Sequence, residues 1–174
     1  MVATPDGPDR DRVLPGLDAS GVLRRLGERH ESLAVVESLT GGLLAAAVVD
    51  VPGASAVFRG GVVVYATDLK ASLGGVPADL LAARGPVDPE VAVALARGGR
   101  DRTGADWCLA TTGVAGPAGS AAPDGGTIPP GTVFVALAGR ERGEVRRLRL
   151  AGGRAVVRLG AAGAALELLR EHLR

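Results

Sequence analysis

Apolar runs alternate with stretches of helical periodicity through the first two thirds of the chain. Leu33–Glu37 and residues 106–111 have the continuous apolar character of short buried strands. Residues 57–65 form a longer strand pattern that two glycines weaken or bulge. Apolar residues recur at helical spacing in five further segments: 17–29, 41–49, 68–73, 78–83 and 88–102. Strands separated by helices are typical of a parallel sheet with helices on both faces.

The last third of the chain follows a different pattern. Thr132–Ala138 and residues 144–150 form two strand patterns joined by a tight turn, and residues 156–173 form a closing helix. Before them, residues 113–131 form a long, glycine-rich loop. Loops of this length in a compact domain usually have a function. We therefore predict an α/β fold, a three-layer α/β/α sandwich whose mostly parallel sheet ends in a C-terminal hairpin.

The hinge between the first strand and the second helix carries candidate chemistry. Ser38 follows the strand, and Thr40 immediately precedes the helix pattern. In one interpretation these hydroxyls cap the helix, with Thr40 as N-cap. In the other, Ser38 is exposed beside free backbone N–H groups, such as that of Gly41, which favour a phosphate or a developing oxyanion.

Two further strands end in polar residues. Tyr65 and Lys70 follow the second strand, and Thr112 and Gly113 follow the third. In open α/β sheets, ligands bind beyond the carboxyl ends of the strands. We therefore expect these residues and Ser38 to share one edge of the sheet.

Composition draws attention to Lys70. The chain has 20 Lys and Arg residues, but Lys70 is its only lysine, and Tyr65 is its only tyrosine. This strong preference for arginine over lysine suggests that lysine has been replaced by arginine wherever only the positive charge is needed. Arginine cannot lose its proton in a protein, whereas a desolvated lysine can act as a neutral base. Lys70 is therefore a candidate base.

Length and composition narrow the class of protein. A chain of 174 residues suits one domain, which we place at residues 16–174 after a disordered tail at 1–15. That tail has no apolar segment of the signal-peptide kind, no run reaches membrane-spanning length, and Cys108 is the single cysteine. A cytoplasmic protein without membrane contact is expected. The net charge of +1 and scattered carboxylates predict neither nucleic-acid binding nor a dedicated metal site.

Five blocks in order resemble a known family: Glu37 to Gly42 (ESLTGG), Val51 to Ser55 (VPGAS), Phe58 to Gly61 (FRGG), Tyr65 with Lys70, and Thr112 to Pro117 (TGVAGP). This combination is similar to the C-terminal domain of the competence/damage-inducible protein CinA and to its stand-alone relatives, the nicotinamide-nucleotide amidases. The resemblance spans residues 17–173. It implies an α/β/α homo-oligomer that needs no cofactor and converts nicotinamide mononucleotide and water into nicotinate mononucleotide and ammonia.

The resemblance also implies roles for individual residues. Ser38 matches the family's nucleophile, and Tyr65 and Lys70 match its proton-handling pair. The implied substrate-binding residues lie in the hinge, in the long loop and at a helix start: Thr40, Gly41, Gly42, Thr112, Gly113, Gly116, Gly119 and Asp88. Backbone N–H groups at Gly41 or Gly113 are candidates for the oxyanion hole.

Three positions depart from the family pattern. Thr67 stands where an asparagine is usual, Asp88 where a serine is usual, and Ile128 where a lysine is usual. Asp88 still caps a helix, but its carboxylate would repel a facing phosphate by about 1 kcal/mol or more. Arg154 or Arg59 could replace the lost cation.

Three hypotheses follow. The first is a metal-free amidase acting on nicotinamide mononucleotide. The second is a catalytically altered or inactive nucleotide-binding module of the same fold. The third, a structural or interaction domain, explains neither the single lysine and tyrosine nor the long glycine-rich loop.

Overall fold

The computed structural model describes residues 17–174, so the tail predicted at 1–15 lies outside the described residues. The helices and strands in chain order are α1 (Ser20–Glu28), β1 (Leu33–Glu37), α2 (Leu43–Val49), β2 (Phe58–Val63), α3 (Thr67–Ser72), α4 (Ala78–Arg84), α5 (Pro89–Thr103), β3 (Trp107–Gly113), β4 (Ser120–Ala121), β5 (Thr127–Ile128), β6 (Thr132–Ala138), β7 (Gly143–Arg149) and α6 (Arg154–His172).

Five of these strands form the main sheet, in the order β2-β1-β3-β6-β7. Strand β1 pairs in parallel with both β2 and β3, whereas β6 runs antiparallel to β3 and β7 antiparallel to β6. All but β6 therefore point the same way. The predicted α/β fold, with a mostly parallel sheet and a C-terminal hairpin, is confirmed.

Helices cover both faces of this sheet. One apolar core lies between the sheet and helices α1, α2 and α6, and a second lies between the sheet and helices α3, α4 and α5. Strands β1, β3 and β6 are almost entirely buried because they lie inside the sheet between these two layers. Strands β2 and β7 form the edges and are partly exposed.

Helix α5 packs very closely against the middle of the sheet. A Cβ atom added to Gly99 would lie 2.3 Å from Val36 Cγ2 and 2.7 Å from Cys108 Sγ. Glycine is therefore required for this approach, and Cys108 is sealed beneath the helix. Burial raises the pKa of the Cys108 thiol to about 12, so the thiol is an inert part of the core.

Two local predictions need correction. Residues 113–131 are more than a loop, because β4 and β5 pair antiparallel within them and form a short ribbon. The irregularity in β2 falls one residue earlier than the glycine pair: Leu33 pairs with Phe58 and Ala34 with Gly60, which leaves Arg59 as the extra residue.

Candidate active site

Ser38 lies directly after β1, at the carboxyl end of the central parallel strands. Its backbone N–H donates to Thr111 O at 3.0 Å, which extends the pairing of β1 with β3 by one residue. The residue is only 7 % exposed. The pairing with β3 therefore fixes the backbone of Ser38 at the carboxyl edge of the sheet. From this residue on, the chain turns away from the sheet.

Lys70 reaches Ser38 from helix α3. Its Nζ atom lies 3.0 Å from Ser38 Oγ, 2.9 Å from Val64 O and 3.3 Å from Tyr65 O. The residue is 2 % exposed although it carries an amine. The two carbonyl groups at the end of β2 fix the direction of the amine, so its remaining position faces the serine hydroxyl.

Burial changes the acid–base behaviour of this amine. Desolvation lowers the pKa of Lys70 from 10.5 to about 8. At neutral pH roughly a tenth of the molecules would then carry a neutral Lys70 with a lone pair. A neutral amine in hydrogen-bond contact with a serine hydroxyl is the arrangement that a serine nucleophile needs from its base.

The start of α2 differs from both interpretations of the hinge. The N-cap is Gly42, in a left-handed conformation, and no hydroxyl caps the helix. The carboxylate of Glu37, which is fully buried, instead accepts from the N–H groups of Gly42 at 2.9 Å, Leu44 at 3.1 Å and Ala45 at 2.8 Å. The prediction of Thr40 as N-cap was wrong, and the helix terminus that we expected to bind an anion already holds one.

Thr40 and Gly41 have structural contacts in the hinge. Thr40 is fully buried, and its hydroxyl lies 2.7 Å from that of Thr111. Gly41 has a positive φ of 60°, and a Cβ atom there would lie 3.2 Å from Arg158 Nη2. Its N–H group donates to Ser38 O at 3.1 Å. The N–H group that we expected to stabilise an oxyanion is therefore already hydrogen-bonded.

Tyr65 occupies the outer side of the site. The residue is 58 % exposed, and its hydroxyl accepts a 2.6 Å hydrogen bond from Arg154 Nη2 at the start of α6. Arg154 Nη1 donates to Gly116 O at 3.0 Å. Tyr65 meets Lys70 only through its backbone carbonyl, so within residues 17–174 no hydrogen bond joins its hydroxyl to Ser38 or Lys70.

The glycines of the long loop shape this side of the site. Gly116 precedes a cis peptide bond to Pro117 and has a φ of 90°. A Cβ atom on Gly113 would lie 2.6 Å from Thr132 O, and one on Gly119 would lie 2.5 Å from Thr127 Cγ2. Gly113 and Gly119 are therefore needed for close backbone packing, and Gly116 brings its carbonyl to Arg154.

Thr112 connects the loop region to helix α5. Its hydroxyl donates to Pro86 O at 2.6 Å, which places residues 85–88 beside the end of β3. Asp88 is the N-cap of α5, as predicted, and accepts from Glu90 N at 2.7 Å. Asp88 is half-buried, Ile128 lies half-buried on β5, and Thr67 is exposed at the start of α3.

Of the two candidate arginines, Arg154 and Arg59, only Arg154 lies at the carboxyl edge of the sheet. Arg154 contacts Tyr65 and the loop, whereas Arg59 donates through Nε to Thr103 O at the opposite edge, where β3 is about to begin. The sequence did not predict the contact of Arg158 with the hinge or the capping of α2 by Glu37. The only sequence signal for Arg158 is its position four residues after Arg154 on one helix, and the only signal for Glu37 is a carboxylate at the end of an otherwise apolar strand.

Two negative findings concern residues 17–174 alone. No helix in that range is long and apolar enough to cross a membrane. No group of three or more His, Cys, Asp or Glu side chains within it is placed to hold a metal ion.

Fold and site together define a class: an α/β/α domain with a buried serine–lysine pair at the carboxyl edge of its sheet. Residues 18–173 match the family model for the CinA C-terminal domain. A CinA-like protein of Frankia casuarinae is 50 % identical over 152 residues, and one of Geotalea daltonii is 45 % identical over 168 residues. These matches cover 87 % and 97 % of this chain but 34 % and 38 % of the relatives. The chain thus spans little more than a third of the curated relatives' length.

Solved structures agree with this assignment. Competence damage-inducible protein A from Klebsiella pneumoniae has a TM-score of 0.83 at 34 % identity, and the match covers 89 % of this chain and 94 % of that one. The competence/damage inducible protein CihA from Agrobacterium tumefaciens has a TM-score of 0.81 at 32 % identity, covering 93 % and 98 %. The chain belongs to the CinA C-terminal domain family.

Proposed function

We propose that this domain hydrolyses the carboxamide of nicotinamide mononucleotide to nicotinate mononucleotide and ammonia. The observation that carries the proposal is the 3.0 Å contact between Lys70 Nζ and Ser38 Oγ, with both residues buried. The choice of substrate follows from the family resemblance. It is supported by Arg154, a cation beside the site that is suited to a phosphate group.

The first half of the reaction forms an acyl-enzyme. Ser38 Oγ attacks the carboxamide carbon while its proton passes to neutral Lys70, and the π electrons of the C=O bond move to oxygen. The tetrahedral intermediate then collapses, the C–N bond breaks, and the nitrogen leaves with an added proton as ammonia. Tyr65 is suited to supply that proton because Arg154 occupies an acceptor position of its hydroxyl and leaves the O–H free to donate.

The second half releases the acid. The Lys70 ammonium first gives up its proton, and the Tyr65 phenolate takes one up through solvent, so both return to their starting states. Neutral Lys70 then takes a proton from water as the water oxygen attacks the ester carbon. The C–O bond to Ser38 then breaks, and Ser38 recovers its proton. The net change is one amide and one water converted into one carboxylate and one ammonium ion, so the reaction needs no further reactant.

A second candidate function is nucleotide binding without this hydrolysis. The observation that favours it is Asp88, a half-buried carboxylate beside the end of β3. There it would repel the phosphate of nicotinamide mononucleotide from the position needed for hydrolysis, so that a nucleotide would bind in another orientation. This hypothesis predicts that nicotinamide mononucleotide or another nucleotide raises the melting temperature without being consumed.

Ammonia release from nicotinamide mononucleotide tests the proposal. The comparison is between the wild-type chain, Ser38→Ala and Ser72→Ala, the last being a matched serine on the exposed side of α3. We expect Ser38→Ala to lose activity by at least about a thousandfold while Ser72→Ala retains it. Equal activity of Ser38→Ala and wild type would refute the serine mechanism. No turnover by folded wild-type protein would favour the second candidate.

A further inference from the structure

Three of the five backbone N–H groups in the hinge from Ser38 to Gly42 are hydrogen-bonded. Ser38 N–H donates to Thr111 O, Gly41 N–H to Ser38 O, and Gly42 N–H to the Glu37 carboxylate. Two N–H groups of this turn, those of Leu39 and Thr40, donate to no acceptor within residues 17–174. Both residues are buried, at 3 % and 0 % exposure. Buried N–H groups without an acceptor are rare in folded proteins, so this pair calls for an explanation.

Arg158 of helix α6 fixes the direction of one of these groups. Its Nε donates to Leu39 O at 3.1 Å, and its Nη2 donates to Thr40 O at 2.7 Å. The peptide units of the hinge are trans, so the C=O and N–H of each unit point in opposite directions. The Leu39 carbonyl and the Thr40 N–H belong to one unit. Because Arg158 holds that carbonyl toward α6, the Thr40 N–H points away from α6. Thr40 is 0 % exposed, so a substrate atom does not reach this N–H group.

The same geometry orients the other free group. The Ser38 carbonyl faces the Gly41 N–H inside the turn, and the Leu39 N–H belongs to the same peptide unit as that carbonyl. The Leu39 N–H therefore points out of the turn. A donor from the residue after a serine nucleophile is well placed for an oxyanion, because it lies next to the new tetrahedral carbon.

We propose that the backbone N–H group of Leu39 is the oxyanion donor of this site and that Arg158, which holds the next peptide unit through Leu39 O, is the residue that positions it. The inference deepens the proposed function and rests on it. When Ser38 Oγ bonds to the carboxamide carbon, the displaced electron pair settles on the carbonyl oxygen, and this donor stabilises the new charge. Arg158 does not touch the substrate in this role; it acts through the peptide units that it holds.

The assignment replaces the donors that the sequence suggested. Gly41 N–H is used inside the turn, and the N–H groups at the start of α2 are used by Glu37. The side chains of Glu37 and Arg158 thus both hydrogen-bond to the backbone of the hinge. What remains for a ligand is the Leu39 N–H group, a neutral and fixed dipole that stabilises a developing charge without reorganising.

The test compares Arg158→Met, Arg158→Lys and Arg170→Met, an arginine in the last turn of the same helix. We expect Arg158→Met to lower kcat for nicotinamide mononucleotide by about a hundredfold, with KM within about threefold, because an oxyanion donor acts only in the transition state. Arg158→Lys should lie between wild type and Arg158→Met, since an ammonium does not span both carbonyls as a guanidinium does. A rise in KM at unchanged kcat would overturn the proposal and make Arg158 a substrate-binding cation.

A second readout separates this proposal from the proposed function. A fluorophosphonate ester phosphonylates a reactive serine: the serine oxygen bonds to phosphorus, a charged pentacoordinate species forms, and fluoride leaves. That species uses the same donor, whatever the natural substrate is. Labelling of Ser38, located by mass spectrometry, should slow about a hundredfold in Arg158→Met and stay unchanged in Arg170→Met. If the wild-type chain labels in this Arg158-dependent way but releases no ammonia, the proposed function fails and the oxyanion hole stands. Equal labelling of all variants would overturn the oxyanion hole.

A backbone variant tests the proposal even if the arginine variants do not fold. The full chain carrying the α-hydroxy analogue of leucine at position 39 keeps every side chain and loses only that N–H group. We expect its labelling rate and kcat to fall at least tenfold with an unchanged melting temperature. A rate equal to that of wild type would overturn the proposal.

Discussion

The two halves of the candidate active site differ sharply in exposure. Ser38 and Lys70 are 7 % and 2 % exposed, and their contact is fixed by the ends of β1 and β2. Tyr65 is 58 % exposed, and its hydroxyl accepts a hydrogen bond from Arg154. The inner half is therefore enclosed by protein, whereas the outer half is open to solvent.

This difference bears on the three positions where we expected a departure from the family pattern. Residues 67, 88 and 128 are exposed or half-buried, whereas Ser38 and Lys70 are buried. Under the proposed function, we expect substitutions on the outer half to change the fit of a ligand and those on the inner half to remove the chemistry.

The largest expected effect comes from the inner half. Lys70→Met keeps the length of the side chain and removes the base, so kcat should fall by about a thousandfold or more. Lys70→Arg keeps a positive charge but supplies no neutral amine, so it should be nearly as inactive. Steady-state ammonia release measures both, and the melting temperature verifies that both are folded. An arginine variant with more than a tenth of the wild-type rate would show that Lys70 acts only as a cation.

A smaller effect is expected from the outer half. Arg154→Ala should raise KM for nicotinamide mononucleotide by about tenfold or more, because a charged hydrogen bond to the phosphate is lost. The riboside, which lacks the phosphate, should be affected much less. Arg59→Ala removes the other candidate arginine, at the opposite edge of the sheet, and serves as the control. An equal loss for both substrates would place Arg154 with Tyr65 in the chemistry and not at the phosphate.

The smallest effect is expected at Asp88. Asp88→Ser keeps a helix cap and removes the carboxylate, so binding of nicotinate mononucleotide should tighten by roughly fivefold, about 1 kcal/mol. Isothermal titration calorimetry at low salt measures it. Asp88→Ala, which also loses the cap, should bind as tightly but unfold at a lower temperature. Unchanged affinity in both variants would show that the carboxylate faces away from the ligand.

The sequence was sufficient for the fold and for the inner half of the site. Buried strands such as β1 and β3 are continuous apolar runs, and Asp88 with Pro89 marks a helix start that the structure confirms. The order of strands and helices then places Ser38 and Lys70 at one edge of the sheet. Only their spatial contact, over 32 residues of chain, needed the structure.

The hinge was harder to predict because its polar groups have long-range or unusual partners. Glu37 ends an apolar strand, and nothing in its neighbours indicates that its carboxylate caps the next helix in place of Thr40. Arg158 contacts the hinge from 118 residues away, and a helix pattern does not state which loop its arginines meet. Local signals thus predicted elements well and failed where a side chain from one element completes another.

The central claim is that Lys70 is available as a neutral base beside Ser38, and the composition of the chain makes this directly measurable. Lys70 is the only lysine, so protein made with 13Cε-labelled lysine gives a single Cε resonance. We predict that this resonance titrates with a midpoint near pH 8, because burial disfavours the ammonium form, and that kcat/KM rises with the same midpoint. A midpoint near 10.5, the value of an exposed lysine, would contradict the account.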